Sequence, residues 1–165
     1  MRLLVLLDVG GTMDPYTMLV SQLLSALKQT HGLKDMRFYF FHNCVYDRVF
    51  THPWLRRQDA VPLAQLFREL DGRWKVMLVG DAAMHPAELL GTFGNIDHGE
   101  SIQSTGLDCL AMLRSRYERA VWVNPDPPGS WGGRTVQIIG KMFPMHHLSV
   151  QGLEDAVKLL VGARV

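Results

Sequence analysis

The stretch RLLVLLDVGGTMDPY, residues 2–16, decides the fold. Residues 3–7 form an unbroken apolar run with none of the polar alternation of a half-exposed strand. A strand of that kind is buried on both faces, as in the middle of a parallel sheet. It ends in Asp8, and Gly10, Gly11 and Thr12 follow. A carboxylate therefore stands at the end of a buried strand, beside a backbone free to turn tightly. Asp14 and Pro15 have the character of an N-cap and a first helical residue. Val20, Leu23, Leu24 and Leu27 then recur at helical spacing, and Gly32 predicts the helix end after His31.

The same alternation continues along the chain. Residues 36–41 (MRFYFF) predict a second strand. His42 and Asn43 make a short turn, and residues 44–50 (CVYDRVF) alternate like a third, partly exposed strand. So short a connection implies an antiparallel pair with the third strand at the sheet edge. An irregular segment, 51–60, precedes a short helix over 62–70. Residues 74–79 (WKVMLV) predict a fourth strand, which runs into Gly80 and Asp81. A helical turn over 86–90, a glycine-rich loop over 91–101 and a helix over 103–116 follow. Residues 120–123 predict a fifth strand, 126–133 a Pro/Gly loop, 135–142 a helix and 147–150 a sixth strand. Leu153, Ala156, Val157, Leu160 and Val161 mark a last amphipathic helix. Strands alternating with helices define an α/β fold: a mostly parallel central sheet of about six strands, one antiparallel edge strand, and helices on both faces.

Length and composition are consistent with this. The 165 residues suit a single domain, and 47% hydrophobic against 20% charged residues is an ordinary globular balance. The formal net charge of +1 gives no global electrostatic case for nucleic acid or an anionic membrane surface. Cys44 and Cys109 have neither zinc-site nor disulfide-framework spacing, and their apolar neighbours predict reduced core thiols of a cytoplasmic protein. No apolar run approaches the ~20 residues of a membrane span. The chain enters a strand at once, which predicts no signal peptide.

In open parallel sheets, ligands bind outside the carboxyl ends of the strands, near the point where strand order reverses. Two strands here end in an aspartate, Asp8 and Asp81, and Thr12 lies in the turn after the first. If the strands are neighbours, two carboxylates and a hydroxyl share one rim. All-oxygen donors of that kind suit Mg²⁺ or Mn²⁺.

The pattern Asp8-x-Gly10-x-Thr12 resembles the first motif of the von Willebrand factor A (VWA) fold, Asp-x-Ser-x-Ser/Thr, which builds the metal-ion-dependent adhesion site. VMLVGDAAM, residues 76–84, resembles the strand and loop that carry the distal aspartate of that site. The blocks DVGGTMDPY, FFHNCVYDRV, VGDAAMHPAELL, VWVNPDP and FPMHHLSVQGLEDAV resemble, in order, those of the bacterial CoxE-like VWA proteins. This resemblance covers nearly the whole chain. It implies a Rossmann-like VWA domain with Asp8, Gly10, Thr12 and Asp81 around a metal ion. It implies a protein-interaction role, as adaptor or co-chaperone, with a MoxR-type AAA+ ATPase and a client that offers a carboxylate. Such domains usually end longer proteins, so the chain is consistent with an excised C-terminal domain. Gly10 departs from the motif by removing one hydroxyl, a place that water can take. The second-loop threonine has only Thr51 as a counterpart, and Asp59 is a substitute carboxylate to consider. Weak metal binding follows.

An enzyme reading stands against this one. LLDVGGTMD also resembles the first motif of haloacid-dehalogenase phosphatases, with Asp8 as nucleophile. There Gly10 replaces the aspartate that would be the general acid/base, and Lys75 lies inside the strand that carries Asp81. Other residues are read as structural. His42 belongs to the hairpin, His85 to a surface loop, His146 and His147 to the framework, and Trp131 to the core. His98 is a candidate neighbour of the rim. Met13 and Met84 border it, as core or as a soft contact surface.

Overall fold

A computed structural model of the protein describes residues 1–29, 32–92 and 103–162. Seven strands form one sheet: β1 (Arg2–Asp8), β2 (Asp35–Phe41), β3 (Arg48–Phe50), β4 (Ala60–Pro62), β5 (Lys75–Val79), β6 (Ala120–Asn124) and β7 (Met145–His147). Their order across the sheet is β4-β3-β2-β1-β5-β6-β7. β1 pairs in parallel with β2 and β5, and the parallel ladder continues through β6 to β7. β3 runs antiparallel to β2, and β4 antiparallel to β3. Among the described residues, six α-helices surround the sheet: α1 (Thr17–Lys28), α2 (Leu63–Glu69), α3 (Pro86–Leu90), α4 (Gly106–Arg116), α5 (Arg134–Met142) and α6 (Val150–Val161).

β1 is central because its whole apolar run is consumed by packing. Leu3, Val5 and Leu7 join Leu23 and Leu27 of α1 and Ala156 and Leu160 of α6 on one face. Leu4 and Leu6 join Leu66 of α2, Leu110 and Leu113 of α4 and Ile139 of α5 on the other. Each such leucine or valine contributes about 1.5–3 kcal/mol relative to exposure. Local signals agree with the packing. Thr105 and Asp108 close a reciprocal capping box at the start of α4. Ser149 caps α6 by accepting the Gly152 N–H at 3.1 Å, and Gly162 ends it in the left-handed conformation.

The α/β class with a mostly parallel sheet is as expected, with seven strands for about six. Several details need correction. The strand expected at the sheet edge, β3, has β4 outside it. β4 lies at the junction between the irregular segment and the expected helix, and it ends in Pro62, a residue that an edge strand tolerates for want of an N–H partner. β3 covers only Arg48–Phe50, because Cys44, Val45 and Tyr46 are spent on the core. Tyr46 Oη donates to the Glu88 carbonyl oxygen at 3.1 Å, and a Cβ on Gly106 of α4 would stand 2.7 Å from Cys44 Sγ. Their alternation records burial, not a ladder. α1 begins at Thr17, after a 3₁₀ turn over Gly11–Tyr16 that contains Asp14 and Pro15. The Met13 N–H already bonds the Gly10 carbonyl, so winding starts at the glycines. The last strand is Met145–His147, because Ser149 is a helix cap and Val150 opens α6. α1 ends at Lys28, short of His31, which lies outside the described residues.

Gly152 shows how tightly α6 meets β7. A Cβ there would lie 2.0 Å from the His147 carbonyl oxygen, a backbone atom that cannot rotate away. Gly152→Ala is expected to destabilise the protein by about 3 kcal/mol. Chemical denaturation reads this as a lower midpoint.

Candidate metal site at the carboxyl rim

β1 and β5 are neighbours, with Leu7 opposite Val79, so Asp8 and the Gly80-Asp81 turn leave the sheet side by side. The chain departs from β1 through α1 on one face and from β5 through α3 and α4 on the other. Strand order reverses between them, and the two aspartates flank that crevice.

The side chains converge. Thr12 Oγ1 donates to Asp81 Oδ2, which joins the first loop, after β1, to the third, after β5. Asp81 Oδ1 accepts the Ala83 N–H at 2.9 Å. Asp8 Oδ1 accepts the Asn43 N–H at 2.9 Å, and His42 Nδ1 lies 3.9 Å from the same oxygen. A Cβ on Gly80 would fall 2.9 Å from Asp8 Cβ and 3.1 Å from Oδ2, so only glycine lets the third loop approach this carboxylate.

Backbone strain gathers at the same rim. Gly10 and Gly11 have φ of 80° and 56°, and among non-glycine residues Asn43 and Ala82 have φ of 57° and 58°. The Asn43 amide faces Asp8, and Ala82 is the residue after Asp81. Left-handed conformations at alanine cost free energy, and where they cluster they mark sites whose geometry outranks local comfort.

Asp8 and Asp81 are 6% and 7% exposed, two of the few buried ionisable side chains among the described residues. Burial pushes the Asp8 carboxyl up to about 8, and the charges of Asp81 and Glu88 add to the rise against the lowering effect of the Asn43 amide. Burial thus favours the neutral form of Asp8, and a cation beside it would favour the carboxylate. The Cys44 thiol, also pushed up by burial, is inert.

Several contributors had no sequence signal as site residues. His42 donates through Nδ1 to the Val9 carbonyl oxygen at 2.7 Å and lies beside the glycine turn. Glu88 accepts from Asn43 Nδ2 at 2.7 Å and from the His85 N–H at 2.8 Å, bracing the turn after β2 against the loop after β5. His85 is the N-cap of α3 rather than a plain loop residue. Asn124 Nδ2 donates to the Asp81 carbonyl oxygen at 2.8 Å, and Tyr16 Oη to Asp126 Oδ1 at 3.0 Å. The serviceable clue was Asn43, a residue type that tolerates positive φ, two residues past the end of an apolar strand.

Other expected residues are placed elsewhere or in lesser roles. Asp59 is held by Arg56 Nε at 2.7 Å, and Thr51 bonds the Asp59 backbone, so neither is seen joining the rim. Lys75 opens β5, at the end of the strand remote from Asp81. Met13 and Met84 are buried, Trp131 is partly buried, and His98 lies outside the described residues. Among the described residues, no three His, Cys, Asp or Glu side chains form a metal-holding group. The candidate set is instead two carboxylates and one hydroxyl, a donor set that fits a hard cation retaining several waters. No helix among the described residues is long and apolar enough to cross a membrane.

The chain matches no protein-family model, no curated protein and no solved structure.

Proposed function

We propose that this protein is a VWA-like, metal-ion-dependent interaction domain that acts by binding and not by catalysis. The observation that carries the reading is the meeting of Asp8, Thr12 and Asp81 at the point where strand order reverses. Asp8 and Asp81 would hold Mg²⁺ or Mn²⁺ through their carboxylates. Thr12 can offer an oxygen lone pair while its O–H donates to Asp81. Gly10 contributes only backbone, so protein donors are few and binding is weak. The bound cation supplies a positive centre with positions open to a carboxylate of a protein partner. By its resemblance to CoxE-like proteins, that partnership is with a MoxR-type AAA+ ATPase and a client. The role is assembly or activation of metalloenzymes or complexes in the cytoplasm.

The phosphatase reading has less support. It needs an acid/base group where Gly10 stands, and a lysine at the rim where Lys75 is at the far end of β5.

Thermal unfolding and calorimetry with Mg²⁺ test the proposal. At a free concentration ten times the dissociation constant, Mg²⁺ should stabilise the protein by about 1.4 kcal/mol. Affinity should be weak, and sub-micromolar binding would contradict the sparse donor set. Co-purification with the AAA+ ATPase should depend on Mg²⁺. Hydrolysis of p-nitrophenyl phosphate, with fluoroberyllate trapped on Asp8, would overturn it in favour of the phosphatase.

A further inference from the structure

The sheet face that α1 and α6 cover is left incomplete over β2. On it Val5 and Leu7 of β1 and Met77 and Val79 of β5 are buried, but Phe38 and Phe40 of β2 are only half-buried. They floor a groove of about 680 Å³. One wall is α1, which presents Val20 and Leu24. The other is the loop after β3, on the far side of β2 from β1, which presents Trp54. Trp54 is 74% exposed yet held in place: the His52 ring meets it edge-on at 4.9 Å, and the Arg56 guanidinium lies 5.5 Å from its centre. Tryptophan is among the residue types that most often carry the binding energy of protein interfaces.

The floor decides the conformation of an occupant. It is a sheet face, which presents side chains and not backbone groups. A strand laid on it would leave N–H and C=O groups against apolar rings without partners. A helix bonds its own backbone and presents an apolar stripe. Charge sets the direction. Asp14 lines the groove where the chain enters α1, and Lys28 lines it at the last turn, with Nζ 5.3 Å from the centre of the Phe38 ring. Both are exposed, and neither is in a salt bridge among the described residues. Arg56, beside Trp54, is instead paired with Asp59 at 2.7 Å. Helices favour acidic residues in the first turn and basic residues in the last, where they complement the macrodipole. A helix antiparallel to α1 therefore meets each charge of the groove with its opposite.

We infer that this groove docks an amphipathic helix of a partner protein, antiparallel to α1, with an acidic first turn at Lys28, a basic last turn at Asp14, and apolar side chains between them against Phe38, Phe40 and Trp54. From residue 14 to residue 28 the chain advances roughly 20 Å at ~1.5 Å per residue, so about four turns of partner helix fill the groove. The docking needs no metal and stands apart from the reading of the carboxyl rim.

A phage-displayed helical scaffold with its outer face randomised, selected on the protein in EDTA, supplies the probe. Enriched faces should carry an apolar stripe, with acid at the first turn and base at the last. Selection on the protein with the two charges exchanged (Asp14→Lys with Lys28→Glu) should return the opposite order. The best helix, made synthetically and titrated by fluorescence anisotropy, should bind Trp54→Ala at least tenfold more weakly than the parent. It should also shift the tryptophan emission of the parent to the blue, and not that of Trp54→Ala. Thermal unfolding of the variants should stay close to that of the parent, because all three side chains are exposed. Absence of the pattern, or binding indifferent to Trp54→Ala and to the charge exchange, overturns the inference. Enrichment of unstructured heptapeptides in place of helices overturns it in favour of an extended ligand. A dimer in sedimentation that Trp54→Ala dissociates overturns it in favour of a second copy of this chain.

Discussion

Asp8→Asn is expected to make the metal-free protein more stable than the parent above about pH 8 and to abolish any stabilisation by Mg²⁺. Burial, with the charges of Asp81 and Glu88, lifts the Asp8 carboxyl from 3.8 to about 8 in the folded protein. Between those values the native state holds a proton that the unfolded chain has released, so parent stability falls as pH rises. The contribution is fully present below about pH 4 and is lost as pH passes through about 8. A tenfold change in proton affinity is worth about 1.4 kcal/mol, so the swing is of the order of several kcal/mol. Asparagine keeps an oxygen to accept the Asn43 N–H and carries no charge. Its stability should vary much less across that window. Denaturation curves for both proteins at about pH 5, 7 and 9 check this. A parent whose stability rises steadily from pH 5 to 9 relative to the variant would show that Asp8 is ionised and already compensated in the fold.

Trp122→Ala should be the most damaging single change, costing about 3–5 kcal/mol. Trp122 is fully buried in the middle of β6 and meets Phe41 edge-on at 6.4 Å and Phe143 at 6.0 Å. It also has a polar task. Its Nε1–H donates to the Gly80 carbonyl oxygen at 2.7 Å, one residue before Asp81. Trp122→Phe separates the two contributions. It keeps most of the packing but leaves a buried carbonyl without its partner, at about 1–3 kcal/mol. If that bond sets the third loop, Trp122→Phe should weaken Mg²⁺ binding more than Ile139→Val does. Ile139 is equally buried but is not among the residues that hold the rim. Denaturation midpoints and Mg²⁺ calorimetry on the three variants settle the comparison, and equal Mg²⁺ affinities would reduce Trp122 to a packing residue.

The sequence by itself determined the layers and showed which strands end in a carboxylate. An unbroken apolar run can be satisfied only between two helical layers, so residues 3–7 declared a central strand before any partner was known. Helical periodicity did the same for α2, α4, α5 and α6, whose interiors the structure places within a few residues of expectation. Asp8 and Asp81 were legible because each is a carboxylate next to a glycine turn at the end of a buried apolar run. Tertiary structure decided the rest, because it depends on contacts distant in the chain. No local pattern says that residues 3 and 75 pair, and only that pairing brings Asp8 beside Gly80. Burial at Cys44–Tyr46 and ladder pairing at residues 48–50 produce the same apolar alternation, so the end of one and the start of the other were invisible. β4 exists because β3 offered an edge, not because its residues favour a strand. His42, Asn43 and Glu88 reach the rim through contacts spanning 33 to 45 residues. Their roles come from the loops that the sheet brings together, and hydrogen-bond geometry of that range leaves no periodic trace in a single sequence.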